Sequence, residues 1–393
     1  YHTLGVIMRP SFRTMDSNNI SVTLNSVGNI GYNDYPSNTQ GIGYRYKGSQ
    51  SILYEGSVLV AVSEKRVSDN ARSAYQIEKN KSFYTDRIIQ LDNTSDTASL
   101  TGISEYYDIG DTADAGVRVL QKTYQFNEPG AEDFIIVSYD IINESGFDQD
   151  SLFAGLFFDW DIGPGGRYNK AYFDDSRLIG FMRNIAVDTL PYAGVMLLSA
   201  HLPNYYAIDN DSYSQENPGI YDGFTKREKW RFLSGGIARQ ESEVTDASMV
   251  IGAGPIELKD GDTARVSFSI FSAFNVNDLR RAADNSREIA HRYNIANGPN
   301  VSIPGKDSLI MIYPNPAVET GFRVDYAISR ASGVSIYIYD ALGRIAATIF
   351  ENRRHYPANY SEAIRVDGLA QGKYFLVLKT GNERIAEPFT IVK

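Results

Sequence analysis

The sequence predicts an all-β protein: a large antiparallel β-sandwich with one helix near residues 277–293, followed by a small immunoglobulin-like β-sandwich. Three observations predict it. Short runs alternate apolar and polar residues with period two, the pattern of half-buried strands. Gly, Asn, Asp and Pro separate those runs at short intervals. Aromatics reach 12% of 393 residues, with 27 Tyr against 2 Trp. Tyrosine suits a pleated face, because its ring packs flat while its hydroxyl reaches water.

In chain order, residues 3–12 read as a first strand ended by Pro10, and Ile20–Leu24 alternates cleanly. Gly28–Asn38 is dense in turn formers. Gly41–Tyr46 and Ser57–Val62 follow as strands, with Leu53–Gly56 bending the chain between them. Val117–Phe126 and Phe134–Asn143 read as an antiparallel pair across the turn Asn127–Gly130. Leu152–Asp161 is apolar almost throughout, which predicts a strand buried on both faces. Further strands fall near 178–183, 193–200, 248–252 and 264–274. Val276–Tyr293 carries apolar residues at helical spacing, with Asn277 as N-cap and Asn297-Gly298-Pro299 as the stop. Its arginines, Arg280, Arg281, Arg287 and Arg292, read as a solvated face paired with Asp278, Asp284 and Glu288.

The length suits two domains. Gly298, Pro299, Pro304 and Gly305 mark a linker over 299–306, which separates a front domain, 1–298, from a closing one, 307–393. Within the latter, Gly321–Ile328 and Gly333–Tyr339 are expected to pair across a short turn.

The totals exclude several functions. Net charge is −10, so a nucleic-acid surface is not expected. There is no cysteine, which removes disulfides, thiolate metal sites and a cysteine nucleophile. No apolar run is long enough for a membrane-spanning helix. The chain opens on Tyr1 with no charged-then-apolar leader, which reads as a processing product or a fragment.

One set of motifs has a family likeness. Tyr313-Pro314-Asn315-Pro316 is followed in order by Ile336-Tyr337-Ile338-Tyr339-Asp340-Ala341-Leu342-Gly343-Arg344, by Gly368-Leu369-Ala370-Gln371-Gly372-Lys373-Tyr374, and by the terminal Ile391-Val392-Lys393. This segment resembles the type A sorting domain of the type IX secretion system of Bacteroidetes and their relatives. The resemblance implies passage across the outer membrane, the secretion machinery as partner, and a secreted or cell-surface location. It marks Tyr313, Pro314, Asn315, Pro316, Gly343, Gly372 and Lys393 as the sorting motif. The front part is similar to a region found downstream of subtilisin-like serine peptidase domains in secreted proteins of these bacteria. The matching stretches are Gly31–Asp34, Gly43–Gly48, Leu53–Gly56 and Phe157–Ile162. No peptidase nucleophile segment accompanies them, so the resemblance implies a non-catalytic tail of a larger peptidase.

Asp159-Trp160-Asp161 is the sharpest polar feature. Both carboxylates share one face of a strand, and Asp174 and Asp175 follow after the turn Gly163–Gly166. Three readings stand: carboxylates that cap turns, a Ca²⁺ site of Asp159, Asp161 and Asp174, or the acid and base of a glycoside hydrolase. Asp209–Tyr213 has part of a calcium-loop pattern without its glycine and glutamate, and reads as a solvated loop. Asn33, Asp34 and Tyr35 with Tyr44, Tyr46 and Tyr54 read either as an ordinary sheet face or as a sugar-binding shelf. Gly252-Ala253-Gly254 lacks the context of a nucleotide loop. His201 and His291 have no nucleophile partner in any motif. The expected role is a non-catalytic binding or surface-assembly module that requires no cofactor, with surface glycan or its own copies as partners. The alternative is a carbohydrate-active hydrolase using Asp159, Asp161 or Asp174.

Overall fold

A computed structural model describes residues 8–75, 78–110, 112–296, 306–318, 321–329, 332–355, 358–366, 368–381 and 383–392. It divides into two compact units, Tyr1–Asn300 and Val301–Lys393. The predicted linker at 299–306 falls almost wholly outside the described residues, as do residues 3–7 of the first predicted strand and the predicted helix stop.

The front unit is two large sheets packed face to face. One runs in spatial order Phe12–Met15, Ile20–Asn25, Asn29–Ile30, Leu53–Ala61, Gln149–Trp160, Ala247–Leu258, Pro203–Asp209, Ile237–Arg239. Tyr44–Tyr46 adds to the second of these and Val67–Asp69 to the fourth. The other runs Asn169–Asp174, Ile179–Asn184, Tyr192–Leu197, Thr263–Ala273, Phe134–Asn143, Val117–Gln125, Leu100–Asp108, Phe83–Asp92. The pairing is antiparallel throughout except at Ile237–Arg239. Val58, Val60, Leu156, Phe158 and Trp160 of the first sheet meet Val137, Tyr139, Val266 and Phe268 of the second in the main core.

Each outer face carries a helix. On the first sheet lies α1, Lys226–Ser234, opened by a capping box in which the Thr225 side chain accepts from the Glu228 amide and Glu228 reaches back to Thr225. Phe232 and Leu233 seat it on Phe153, Phe157 and Val250. The seat needs glycine: a Cβ on Gly155 or Gly252 would come within 2.5 or 2.4 Å of Leu233 Cδ1. On the second sheet lies α2, Val276–Arg292, as the periodicity predicts. Its N-cap is Asn275, whose side chain accepts from the Asp278 amide, rather than Asn277, which lies inside the first turn.

Two other local expectations change. Leu53–Gly56 does not bend the chain. Leu53–Ala61 is one continuous strand, because Glu55, Ser57, Leu59 and Ala61 share a covered face. The pairing slips between Glu55 and Leu53, so Tyr54 is the extra residue of a β-bulge. In the closing unit, Gly321–Ile328 and Ser332–Asp340 do not pair. The first joins Ser308–Val318 and Ala358–Ile364, and the second joins Ile345–His355 and Gly372–Thr380. Val324, Tyr326 and Ile328 instead face Val334, Ile336 and Ile338 across a shared core. No helix among the described residues is long and apolar enough to cross a membrane.

Candidate functional site

The site is built at one end of the central strand Gln149–Trp160. There Asp159 pairs directly with Glu55 on the neighbouring strand. Like charges opposite each other in a sheet repel. Arg72 resolves the conflict. Its Nε donates to Glu55 Oε2 at 2.7 Å, its backbone amide donates to Glu55 Oε1 at 2.6 Å, and its Nη2 donates to Asp159 Oδ2. All three residues are at most 5% exposed. Burial pushes the Glu55 carboxyl up, with Arg72 opposing. Burial also disfavours the Arg72 charge, but Glu55 and Asp159 outweigh it and raise that group above its ordinary value. The bulge brings Tyr54 over the guanidinium at 5.9 Å, and Tyr35 covers it at 5.4 Å. A second buried pair braces the same region: Lys229 of α1, fully enclosed, donates to Asp69 Oδ1 and to the Arg72 carbonyl, each at 2.7 Å.

Above this floor lie two half-buried carboxylates, Asp161 and Asp246. Asn210 joins the layers, since its Nδ2 donates to Asp159 Oδ1 at 2.9 Å and to Asp246 Oδ1 at 3.0 Å. Ser248 Oγ donates to Asp159 Oδ1 at 2.9 Å, and Tyr221 Oη donates to Asp246 Oδ2 at 2.7 Å. Burial, then the neighbouring Asp159 and Asp246, pushes Asp161 up to about 7. Burial, then Asp159, pushes Asp246 up to about 6.

A carboxyl raised on folding is held best while protonated. Its contribution is therefore fully present below its ordinary value of 3.8 and is lost as pH rises through about 7. Asp161→Asn should gain about 1–2 kcal/mol over the parent chain at pH 8 in EDTA, allowing for solvent on its open side. Urea unfolding at pH 4 and pH 8 checks this. A gain equal at both pH values would refute the assignment.

The loop 210–224 closes the site and faces two ways. Asn210 and Tyr221 hold the carboxylates. On its other side, Ser212–Gln215, Pro218, Gly219 and Asp222 form a cleft of about 450 Å³ against Thr225, Arg227, Glu228 and Arg231 of α1 and its cap. Arg231 ties the loop down through the Gln215 and Glu216 carbonyls, at 2.8 and 2.5 Å. Tyr213 stands 75% exposed on the rim.

The predicted residues scatter around this centre. Asp159 and Asp161 lie in it. Asp174 does not join them: it bonds Arg280 Nε of α2 at 2.7 Å and the Ser176 amide at 2.9 Å, on the other sheet. Among the described residues no group of three His, Cys, Asp or Glu is placed to hold a metal ion. Tyr35 and Tyr54 meet edge to face at 5.8 Å, whereas Tyr44 and Tyr46 turn into the core, so the four do not form one shelf. Asp209 pairs with Arg239, and Asn210 is wholly buried, so only Asp211 of that trio is the solvated residue expected. Arg281 and Arg292 pair along the helix with Asp278 and Glu288. Arg287, though, lies partly buried against Met196 and the Arg177 carbonyl. His201 is spent on the Arg265 carbonyl at 3.0 Å. Sequence reasoning missed Glu55, Arg72, Asn210, Tyr221 and Asp246 as site residues.

In the closing unit, the strand Ser308–Val318 contains Tyr313, Pro314, Asn315 and Pro316. Asn315 Oδ1 accepts from the Thr390 amide at 3.1 Å, and the Val392 amide donates to the Ala317 carbonyl at 2.9 Å, so the motif fastens the last strand. Gly343, with φ +77°, closes the hairpin whose turn amides bond the Asp340 carboxylate. Gly372 opens the strand Gly372–Thr380. Lys393 lies outside the described residues.

A family model described as "Secretion system C-terminal sorting domain" matches residues 311–392. The closing unit carries a type IX secretion sorting domain. The sorting domain makes the chain a secreted or cell-surface protein of Bacteroidetes-type bacteria. No curated protein matches the chain. Among solved structures it is similar to a polysaccharide lyase, at 10% identity and TM-score 0.33, over 100% of this chain and 47% of that one. It is also similar to a putative aldose 1-epimerase from Escherichia coli K12, at 9% identity and TM-score 0.35, over 67% of this chain and 99% of that one. A heparan sulfate lyase HepC mutant from Pedobacter heparinus aligns at 9% identity and TM-score 0.34, over 88% of this chain and 42% of that one. The chain spans about half the length of the two lyases.

Proposed function

We propose that the front unit is a non-catalytic binding module, carried to the cell exterior by the sorting domain, and that it takes a polyhydroxylated ligand such as a surface glycan. The cleft between loop 210–224 and α1 supports this reading. Most residues that line it are polar, its volume of about 450 Å³ suits a short oligosaccharide, and Tyr213 offers an exposed ring at the rim. Stacking on such a ring tolerates many sugars while the hydroxyls bond Ser212, Ser214 and Gln215. Tyr213→Ala should weaken glycan binding about tenfold, or about 1.4 kcal/mol. Calorimetry against a panel of neutral and acidic polysaccharides checks it, and a parent chain that binds none of them defeats the reading.

One observation favours the hydrolase alternative, with changed residues. Burial raises Asp161 to about 7 and Asp246 to about 6, which brings both carboxyls toward neutral pH, where one can keep its proton while the other is ionised, as an acid and a base at one site require. Asp159, clamped by Arg72, and Asp174, on the other sheet, are not suited to that work. New reducing ends released from the same panel, and lost in Asp246→Asn, would decide for it. The parentage implied by the peptidase-tail resemblance is compatible with either reading, and the full open reading frame tests it.

A further inference from the structure

The outer face of the second sheet holds two cations side by side. Lys170 and Arg183 are direct partners in the antiparallel pair Asn169–Asp174 and Ile179–Asn184. Their strand neighbours Ala171 and Met182 point the other way, into the main core. Like charges placed opposite each other repel. At Glu55 and Asp159 the chain supplies Arg72 against the same conflict. Here the remedy is half made. Lys170 Nζ pairs with Glu241 at 2.8 Å, but among the described residues no carboxylate pairs with Arg183. Arg118, Arg239, Arg265 and Arg280 of the same unit each bond one. In a chain of net charge −10, this arginine beside a lysine is an unmet demand for an anion.

The surroundings are aromatic. The Arg183 guanidinium lies 5.7 Å from the centre of the Tyr172 ring and 5.7 Å from that of Tyr192, and its Nη1 donates to Tyr192 Oη at 3.1 Å. It is therefore held in place before any ligand arrives. Tyr172 stacks on Phe181 with ring centres 5.1 Å apart, and Lys170 Nζ lies 5.0 Å from the Tyr172 ring. The Tyr168 carbonyl accepts from the Ile185 amide at 2.9 Å, which extends the pairing by one residue, and Tyr168 stands 57% exposed at its end.

We propose that this face, centred on Arg183, binds the acidic sugars of a uronic-acid polysaccharide. The planar guanidinium matches a carboxylate with two parallel hydrogen bonds, and Lys170 adds its charge beside it. The C–H face of a sugar ring packs on an exposed tyrosine ring such as Tyr168. A neutral glycan could use the rings but would leave the two cations opposed. A single-stranded nucleic acid could also stack here, but its row of phosphates meets a chain of net charge −10. None of these residues lines the cleft beside α1, so the face can fail while the cleft reading stands.

A short oligogalacturonate is titrated into the full chain by calorimetry, with a neutral dextran oligosaccharide and a single-stranded thymidine oligonucleotide as comparisons. The oligogalacturonate should bind about tenfold or more tighter than either. Arg183→Ala should weaken it about tenfold, and Arg183→Lys should restore only part, because lysine keeps the charge without the fork. Glu241→Gln removes the competing carboxylate from Lys170 and should tighten binding about threefold. Glu241 is largely exposed, so this second variant keeps its fold even if Arg183→Ala does not. Tyr213→Ala, at the cleft, should change the affinity less than about twofold. No binding of oligogalacturonate by the parent chain would overturn the proposal. So would an undiminished affinity in a folded Arg183→Ala chain, no gain in Glu241→Gln, or equal binding of dextran or the oligonucleotide. A loss in Tyr213→Ala with none in Arg183→Ala would move the acidic sugar to the cleft, against this proposal and in favour of that reading.

Discussion

Arg72→Ala is expected to cost the front unit about 3–5 kcal/mol. The loss comes less from the ion pairs themselves than from what is left behind. Glu55 and Asp159 would face each other across neighbouring strands, both nearly enclosed, with no cation between them. The damage should also spread along the bonds that start at Asp159. Asn210 anchors there, and through it the loop that walls the cleft. Urea unfolding measures the loss, and a change below about 1 kcal/mol would show that Arg72 is not what holds Glu55 and Asp159 together. A compensating chain, Arg72→Met with Glu55→Gln and Asp159→Asn, should recover much of the stability. Replacing a whole buried ion cluster with neutral groups removes the desolvation cost along with the attraction.

Removing residues 307–393 is expected to abolish surface delivery while leaving the front unit folded. The two units have separate cores: the main sandwich core draws only on residues before 271, and the sorting-domain core only on residues from 309 onward. Expressed in a host with type IX secretion, the truncated chain should accumulate inside the outer membrane, and the full chain outside it. Fractionation with an antibody to the front unit reads the outcome. Equal amounts outside the cell would sever the sorting domain from export. Thermal melting of the truncated chain guards against a trivial explanation, because a folded front unit should keep its own transition.

Much of the fold was legible because it is written in period-two alternation. Val117–Gln125 and Phe134–Asn143 pair antiparallel as their patterns imply, and Gln149–Trp160 is buried on both faces as its apolar run implies. Helix α2 was legible from its spacing. Helix α1 was not, since Lys226–Ser234 is short and rich in charge. Its one clear signal was the Thr225 and Glu228 capping box. The site was half legible. Asp159 and Asp161 stand out in a strand, but Arg72 reaches Asp159 over 87 residues and Asn210 over 51, distances that only the sheet order bridges. Asn210 looked like one more polar loop residue. It is buried because the loop folds back on it, with the Ile220 and Tyr221 amides both bonding its carbonyl at 3.0 Å. Asp174 misled because nearness along the chain stood in for nearness in space, and Asn169–Asp174 belongs to the opposite sheet.

The central strand Gln149–Trp160 sets a timetable for the chain. One of its neighbours, Leu53–Ala61, is made long before it, and the other, Ala247–Leu258, long after. During synthesis a ribbon containing Leu152, Phe153, Leu156, Phe157, Phe158 and Trp160 must wait with one edge open until residue 258 is available. Such long-range pairing folds slowly and exposes sticky edges meanwhile. A protein built this way and bound for export depends on being shielded inside the cell until its second half arrives.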